Sequence, residues 1–189
     1  FMKPHTPLFP PREWAEQYPV EDMELTEPDD ISSYPEHIQK RIRNTLNLDP
    51  LLRKAARSGY LGNLAFADHC VGVLLDAFEE QGLAENTIVV YTADHGDMHQ
   101  QNGLLGKFCL FDPSVKVPLI VSYPKALSQD VVCSALVEQL GLYPTLADLT
   151  DTGPVGAPAL RPMPDAPEQI AGQSFAASVR DPELPGLED

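Results

Sequence analysis

Apolar residues recur at helical spacing along one long stretch of the chain. Between residues 50 and 82 they follow one another mostly at intervals of three, four and seven, as on a helix with one buried face. The positions are Leu51, Ala55, Leu61, Leu64, Ala65, Val71, Leu74, Leu75 and Phe78. Asp49 and Pro50 suit the start of this helix, and Gly82 suits its end. The pattern predicts one amphipathic helix over residues 50–82.

Short uninterrupted apolar runs follow this helix. Residues 87–93 form a β-branched run that is typical of a strand buried on both faces. Residues 117–123 predict a second strand, with Pro118 near its start, where proline is tolerated. Apolar residues from Val131 to Leu149 predict another helix, which Pro144 should kink or divide. Helix, strand, loop, strand and helix in this order predict an α/β fold.

Both ends of the chain are rich in proline. Residues 1–36 are predicted to form a long loop with one short helix around Pro11–Tyr18, because their seven prolines exclude a mainly helical segment. Leu8, Phe9 and Trp14 indicate that this loop packs against a body. Residues 150–189 also contain seven prolines and are predicted to be a loop with little core of its own.

The net charge narrows the range of partners. The chain has 28 acidic and 13 basic residues, for a formal net charge of −15. Nucleic acids and anionic membrane surfaces would be repelled, and no stretch is typical of a signal peptide or membrane span. A small anionic substrate stays compatible, because a metal ion and one or two cations can reverse the local field. A homo-oligomer is left open, and so is the choice between a bacterial cytoplasm and periplasm.

Candidate chemistry lies at the end of the first predicted strand. Asp94, His95 and Gly96 come directly after it, where open α/β sheets bind their ligands. A carboxylate and an imidazole suit several divalent metals, whereas calcium prefers oxygen ligands. Lys107 follows Gly106 and is a cation for the same place. The alternatives are a turn without chemistry for the triplet and a solvated side chain for Lys107.

Two further histidines, His5 and His99, lie in segments where a ligand role is conceivable. His5, between Pro4 and Thr6, is a candidate anion ligand on a rigid backbone, although that placement alone is poor support. His99 lies in the polar loop between the strands, where a solvent-facing role is predicted. No GxSxG nucleophile elbow is present, and the three cysteines form no CxxC pair.

Taken together, these segments resemble the sulfatase family of the alkaline-phosphatase-like superfamily. Residues 86–98 resemble the family segment NTIVVYTSDHGDM. Residues 103–107 and 114–120 resemble GLWGK and SVRVPLI, in the family's order and spacing. Residues 3–8 are similar to the KPHxPF segment of iduronate-sulfatase-like and choline-sulfatase-like members.

The resemblance implies a fold, an activity and a site. It implies part of a three-layer α/β/α sandwich with a mainly parallel central sheet. It implies a hydrolase that releases inorganic sulfate from a small-molecule or saccharide sulfate ester. Asp94 and His95 would be metal ligands, usually for calcium, with manganese or zinc as alternatives. Lys107 would contact the sulfate and the metal site, and His5 would contact the sulfate ester and assist the leaving oxygen.

The chain also departs from the family pattern. The family loop often reads DHGDMLGEHGLWGK, and Gln101, Asn102 and Leu105 replace its Glu, His and Trp, so substrate preference is left open. The family's nucleophile is a formylglycine made from the cysteine of a C-x-[PA]-x-R motif, and no cysteine here stands in that motif. We therefore expect residues 1–150 to be the C-terminal part of a catalytic domain, and residues 151–189 to lead towards a C-terminal subdomain. The nucleophile would come from an N-terminal part, so this chain alone is expected to be inactive.

Two other functions stay open from the sequence. One is a phosphonate monoester or phosphodiester hydrolase of the same superfamily, which shares the Asp-His-Gly and Gly-Lys segments but tends to use a transition metal. The other is a non-catalytic relative that binds an anion or a partner. The KPH segment favours the sulfatase.

Overall fold

The computed structural model describes residues 2–28, 30–152 and 172–184. Within these residues the helices are Arg12–Ala15 (α1), Glu36–Leu46 (α2), Pro50–Glu80 (α3), Asp112–Val115 (α4), Leu142–Leu149 (α5) and Ala176–Arg180 (α6). The strands are Val89–Thr92 (β1) and Leu119–Ser122 (β2). Single 3-10 turns lie at Val20–Asp22, Ala84–Asn86, Gln101–Gly103 and Gln139–Gly141. The order helix, strand, loop, strand, helix agrees with the sequence prediction.

The chain divides into two compact units. One contains Phe1–Ala84 and Val90–Ile120, and the other contains Glu85–Val89 and Val121–Asp189. The predicted domain boundary at residue 150 lies beside residues 153–171, which are outside the described part of the chain, and it stays a prediction.

Both strands form inside their predicted runs. They pair with each other in a two-stranded sheet. The prediction that the first strand is buried on both faces is wrong, since β1 has no buried residue and Tyr91 is 40% exposed. A strand is buried on both faces only where other elements pack on both faces of its sheet, and the described residues leave the face of Tyr91 partly uncovered.

The predicted long helix forms nearly as expected. It is α3, and its capping chemistry is the one that the sequence indicates. The Asp49 carboxylate accepts a hydrogen bond from the Leu51 amide at 2.7 Å. Gly82 has a φ of +68°, and its amide donates to the Glu79 carbonyl at 2.9 Å. The helix therefore stops where a residue without a Cβ reverses the chain.

The face that α3 buries is not the predicted one. Its buried residues are Arg53, Ser58, Gly59, Gly62 and Asn63, whereas Leu51, Leu64, Leu74 and Leu75 are exposed. A Cβ at Gly59 would overlap the backbone carbonyl of Leu8, and one at Gly62 would lie 2.7 Å from Pro10. The small residues let the proline-rich segment approach the helix closely, which large apolar side chains at these positions would prevent.

These glycines provide a test of the packing. Gly59→Ala is expected to lower the free energy of unfolding by about 2 kcal/mol, because the new methyl group must displace the Leu8 backbone. Gly72→Ala is the matched control on the same helix, with no atom within 4 Å of the added Cβ, and it should raise stability by about 0.5–1 kcal/mol. Urea unfolding measures both, and equal effects would contradict the described packing.

By length and composition alone, α3 also passes a test for a membrane span, with a mean hydropathy of 1.3 over its most apolar window. One such helix is weak evidence, since core helices of soluble proteins pass the same test. The expectation that no segment crosses a membrane stays a prediction.

The N-terminal segment partly matches its prediction. The short helix expected around Pro11–Tyr18 is α1. Trp14 lies against α3, with its ring centroid 6.3 Å from that of Phe66 and 5.0 Å from that of His69. Phe9, which was expected to pack, is 82% exposed, so that part of the prediction is wrong.

Helix α2 was not predicted, although it backs the candidate site. Its Ile38 and Ile42 are buried one turn apart and pack against Met98 and Leu104 of the loop between the strands. This cluster is the core of the first unit on the side of the loop. Ile38, Ile42 and Leu46 recur every four residues, but three apolar positions among polar and charged neighbours are too short a pattern to predict a helix with certainty.

In the second unit, the predicted helix from Val131 to Leu149 is mostly absent. Residues 131–138 are not helical, and α5 begins at Leu142. Pro144 thus lies in the first turn, where its missing amide hydrogen breaks no helical hydrogen bond. Helix α6 forms in a segment predicted to be loop, and its Ala176 packs with Leu127 and Leu149.

Candidate functional site

Three of the four predicted site residues meet at the end of β1. The Nζ of Lys107 lies 2.8 Å from the Nε2 of His95. The same Nε2 lies 3.4 Å from the Oδ2 of Asp94. The loop between the strands therefore brings an ammonium, an imidazole and a carboxylate to one place, as the position beyond a strand predicts.

The hydrogen bonds of His95 assign its tautomer. Its Nδ1 lies 2.8 Å from the Gly96 carbonyl, an acceptor only, so Nδ1 carries the hydrogen. Its Nε2 faces the Lys107 ammonium, a donor only, so Nε2 presents its lone pair. A protonated Nε2 paired with Asp94 would point its hydrogen at that ammonium, and the longer 3.4 Å contact is therefore not an ion pair. A neutral imidazole held through Nδ1 is the arrangement that metal-binding histidines use.

Asp94 supplies an accessible oxygen beside this lone pair. Its side chain is 85% exposed, and its Oδ1 accepts a hydrogen bond from the His95 amide at 3.0 Å. That bond orients the carboxylate, while Oδ2 stays on the side of the imidazole. The Oδ2 of Asp94 and the Nε2 of His95 therefore lie side by side, where both can bind the same metal ion.

This donor pair fits part of a metal coordination sphere. One carboxylate oxygen and one imidazole nitrogen suit calcium less well than manganese or zinc, but calcium accepts such a set when oxygen ligands complete it. Among the described residues, no group of three or more His, Cys, Asp or Glu side chains is arranged so that it could hold a metal ion. Lys107 also shares the lone pair of His95, so its ammonium must move aside when a cation binds there.

Gly96 anchors the turn that carries Asp94 and His95. Its amide donates to the Ser114 carbonyl at 2.9 Å, and a Cβ on it would overlap the Pro113 carbonyl. Only glycine allows this approach to α4.

The rest of the loop is held by its own backbone. The Met98 amide donates to the Gly106 carbonyl, and the Gln100 amide to the Leu104 carbonyl, each at 2.7 Å. Met98, Gln100 and Leu104 are fully buried. Asn102 has a left-handed φ of 51° and lies at the exposed tip. The loop is therefore a fixed support for the site.

A buried arginine also ties this loop to α3. Arg53 is 2% exposed, and its Nε donates to the side-chain oxygen of Gln100 at 3.1 Å. Its carbonyl accepts from the Gln100 amide nitrogen at 2.6 Å, and its guanidinium pairs with Glu27 at 2.8 Å. The buried guanidinium is hydrogen-bonded through its Nε and Nη1 atoms. Removing Gln100 or Glu27 should therefore strongly lower the free energy of unfolding.

His99 does not face solvent as predicted. Its Nε2 is buried, and the described residues give it no hydrogen-bond partner. Its ring stacks on Tyr60 at a centroid distance of 4.1 Å. Burial and, after it, the charge of Arg57 lower the pKa of His99 to about 4, while Asp97 opposes them.

This histidine should make stability depend on pH. Its folded pKa of about 4 lies below the ordinary 6.5, so protons favour the unfolded chain. Its contribution is fully present above pH 6.5 and is lost as the pH falls towards about 4. We expect His99→Leu to flatten the fall in melting temperature across this window. A variant with the wild-type slope would show that His99 is not the group responsible.

His5 is not brought into contact with the other three residues. It is exposed, its Nδ1 lies 2.9 Å from the Thr6 carbonyl, and its amide donates to the Met2 carbonyl at 3.0 Å. Its segment is fixed by Asn63, whose side chain donates to the Pro7 carbonyl at 3.3 Å. The role of His5 stays a prediction.

Sequence reasoning missed Arg41. Its guanidinium donates to the carbonyls of Leu105, Lys107 and Phe108, at 3.2, 2.6 and 2.9 Å. The partners are 64 to 67 residues apart in the chain. A contact between residues so far apart in the chain cannot be predicted from a local sequence pattern.

Comparisons with known proteins agree with the resemblance. A family model described as Sulfatase matches residues 1–152. A sulfatase of Formosa agariphila is 33% identical over an alignment of 160 residues, and the match covers 79% of this chain and 31% of that protein. Human iduronate 2-sulfatase is 27% identical, over 98% of this chain and 42% of its own length.

Solved structures agree on the fold. The phosphonate monoester hydrolase of Silicibacter pomeroyi superposes with a TM-score of 0.75 at 22% identity, over 94% of this chain and 35% of that one. This likeness confirms the predicted α/β fold. The chain spans about a third of the length of the relatives that it matches.

Proposed function

This chain belongs to the sulfatase family, and we propose that it supplies part of the metal and sulfate site of a sulfuric ester hydrolase. The contact of Lys107, His95 and Asp94 carries the proposal, because it joins a cation to a lone pair and an exposed carboxylate. Such a set can hold both an anionic ester and the metal that neutralises it.

Each side chain has a distinct task in this proposal. Lys107 donates to the sulfuryl oxygens and stabilises the negative charge that grows on them. Asp94 and His95 hold a divalent cation, calcium first and manganese or zinc as alternatives. Once bound, that cation would polarise the sulfuryl oxygens as a Lewis acid. His5 would assist the leaving oxygen, which requires its exposed ring to face the ester.

The nucleophile is proposed to lie outside these residues. The chain has three cysteines, and none stands in the C-x-[PA]-x-R motif from which a formylglycine is made. Catalysis would need the hydrate of that formylglycine from another segment of the protein.

The substrate is proposed to be a small or saccharide sulfate monoester. Relatives named for such substrates support this, with iduronate 2-sulfatase as an example. The net charge of −15 disfavours nucleic acid. Gln101 and Asn102 are exposed at the tip of the loop between the strands, where the family often has Glu and His. If this loop borders the substrate pocket as in the family, these two side chains would select the alcohol part of the ester.

A phosphonate monoester hydrolase is the second candidate. The superposition on the Silicibacter pomeroyi enzyme favours it, although at 22% identity this likeness concerns the fold alone. The KPH segment of residues 3–5 favours the sulfatase.

A substrate comparison decides between the two. The complete gene product that carries this chain should be assayed with 4-nitrophenyl sulfate and with a 4-nitrophenyl phosphonate, each with calcium or manganese. We expect faster hydrolysis of the sulfate. Faster hydrolysis of the phosphonate, with manganese preferred, would replace the first candidate by the second.

Residues 1–189 alone should be inactive. Without a nucleophile, the ligands can bind an ester but cannot cleave it. Sulfate release from 4-nitrophenyl sulfate with calcium should stay at the background rate. Hydrolysis that depends on the metal and is lost with Lys107→Ala would show that the nucleophile lies within this chain.

A further inference from the structure

Arg41 is the side chain of α2 that reaches the backbone around Lys107. Its Nη2 donates to the Leu105 and Lys107 carbonyls, and its Nη1 donates to the Phe108 carbonyl. The planar fork of a guanidinium can serve several acceptors in fixed directions, whereas a lysine ammonium is a single point charge. Three carbonyls within four residues are thus held by one group.

The backbone on both sides of Lys107 needs such support. Gly106 has a φ of +72° and Phe108 a φ of +68°, in the left-handed region. For Phe108 this conformation is unfavourable because of its Cβ. Its ring is 88% exposed, so packing of the ring cannot hold it there. The hydrogen bond from Arg41 to its carbonyl is the contact that offsets this strain.

The helix that carries Arg41 is itself fixed against the same loop. Ile42, its neighbour in sequence, is fully buried and packs with Met98 and Leu104. Arg41 therefore works from a rigid base and not from a mobile surface.

We propose that Arg41 is a positioning residue for Lys107: its guanidinium fixes the backbone of residues 105–108, so that the Lys107 ammonium contacts the Nε2 of His95 while no metal is bound and a sulfuryl oxyanion once a metal takes that lone pair. The inference rests on the proposed function for the meaning of Lys107, but the contact of Lys107 with His95 can be measured without any reaction.

The test uses the metal-free complete gene product with 15N-labelled histidine, because a bound metal would take the Nε2 lone pair that is to be observed. NMR reports whether the Nε2 of His95 accepts a hydrogen bond, and inorganic sulfate is then added to measure its affinity. The variants are Arg41→Ala, Arg41→Lys and the matched control Arg43→Ala. Arg43 lies on the same helix and is exposed, and among the described contacts its guanidinium donates only to the side-chain oxygen of Gln39, at 3.1 Å.

We expect Arg41→Ala to shift the His95 Nε2 signal towards that of a free lone pair and to weaken sulfate binding by about tenfold, since small displacements of a positioned group have effects of this size. Arg41→Lys should not restore either property, and Arg43→Ala should behave as wild type. Melting curves show which variants are folded. If Arg41→Ala does not fold, the His95 signal and the sulfate affinity of Arg41→Lys test the positioning role.

Two failures are distinguishable. A His95 signal and a sulfate affinity that are unchanged in a folded Arg41 variant would overturn the positioning role. A wild-type protein whose His95 signal ignores sulfate would contradict the proposed function, and the Nε2 signal in the variants would still decide the role of Arg41.

Discussion

Replacing Lys107 by alanine is expected to lower kcat for a sulfate monoester by about 10²–10³-fold in the complete gene product, the range seen when one donor to a developing oxyanion is removed. The ammonium is placed by the loop and lies 2.8 Å from the Nε2 of His95. Stability should change little, because Lys107 makes no buried ion pair among the described contacts.

Lys116→Ala is the control for charge. This lysine is 74% exposed and pairs with Asp112 at 2.7 Å, an exposed pair of a kind that contributes little. It lies in the same loop between the strands but has no contact with His95 among those described. Steady-state assays of both variants measure kcat and KM. Equal kcat values for Lys107→Ala and Lys116→Ala would contradict a role of Lys107 in catalysis.

The second large effect is expected at the metal ligands. Asp94→Ala and His95→Ala should each weaken binding of the divalent cation by about a hundredfold or more, since losing only a supporting partner of a ligand already has effects of ten- to a hundredfold. Asp94 offers an exposed oxygen, and His95 offers the Nε2 lone pair that the Lys107 ammonium must give up when a cation binds. Calorimetry with calcium, and with manganese in parallel, measures the affinity.

Asp112→Asn is the control for removal of an acidic group. Its carboxylate is 70% exposed, and the structure pairs it with Lys116 and not with His95. It should leave the affinity unchanged. A cation that binds the Asp94 and His95 variants as tightly as wild type would place the metal centre elsewhere in the protein.

The sequence predicted the elements that local chemistry decides. Helix α3 was readable because Asp49 caps it and Gly82 ends it, and both use contacts within a few residues. The meeting of Asp94 and His95 with Lys107 was predicted because all three follow one strand, and a loop of about a dozen residues closes easily.

Features that depend on distant contacts could not be read in this way. The buried face of α3 is set by Gly59 against Leu8, about fifty residues earlier in the chain, and apolar periodicity points to the opposite side. Helix α2 is stabilised by Met98 and Leu104, and its role at the site depends on Arg41 reaching carbonyls more than sixty residues away. Such contacts are determined by tertiary packing and leave no local pattern.

The start of α5 was predicted wrongly for a different reason. Periodicity extended the helix back to Val131, whereas the helix begins at Leu142. The pattern gave Pro144 as a kink, but the chain places it in the first turn instead. In the first turn proline costs no helical hydrogen bond, whereas in a helix interior it would cost about 3 kcal/mol, so a start just before Pro144 is favoured.

The most direct measurement is a crystal structure of the complete gene product grown with calcium and inorganic sulfate. The account predicts a cation bound by a carboxylate oxygen of Asp94 and the Nε2 of His95, with a sulfate oxygen within hydrogen-bonding distance of the Lys107 Nζ. Cation and sulfate bound together at a place that involves none of these three residues would contradict it.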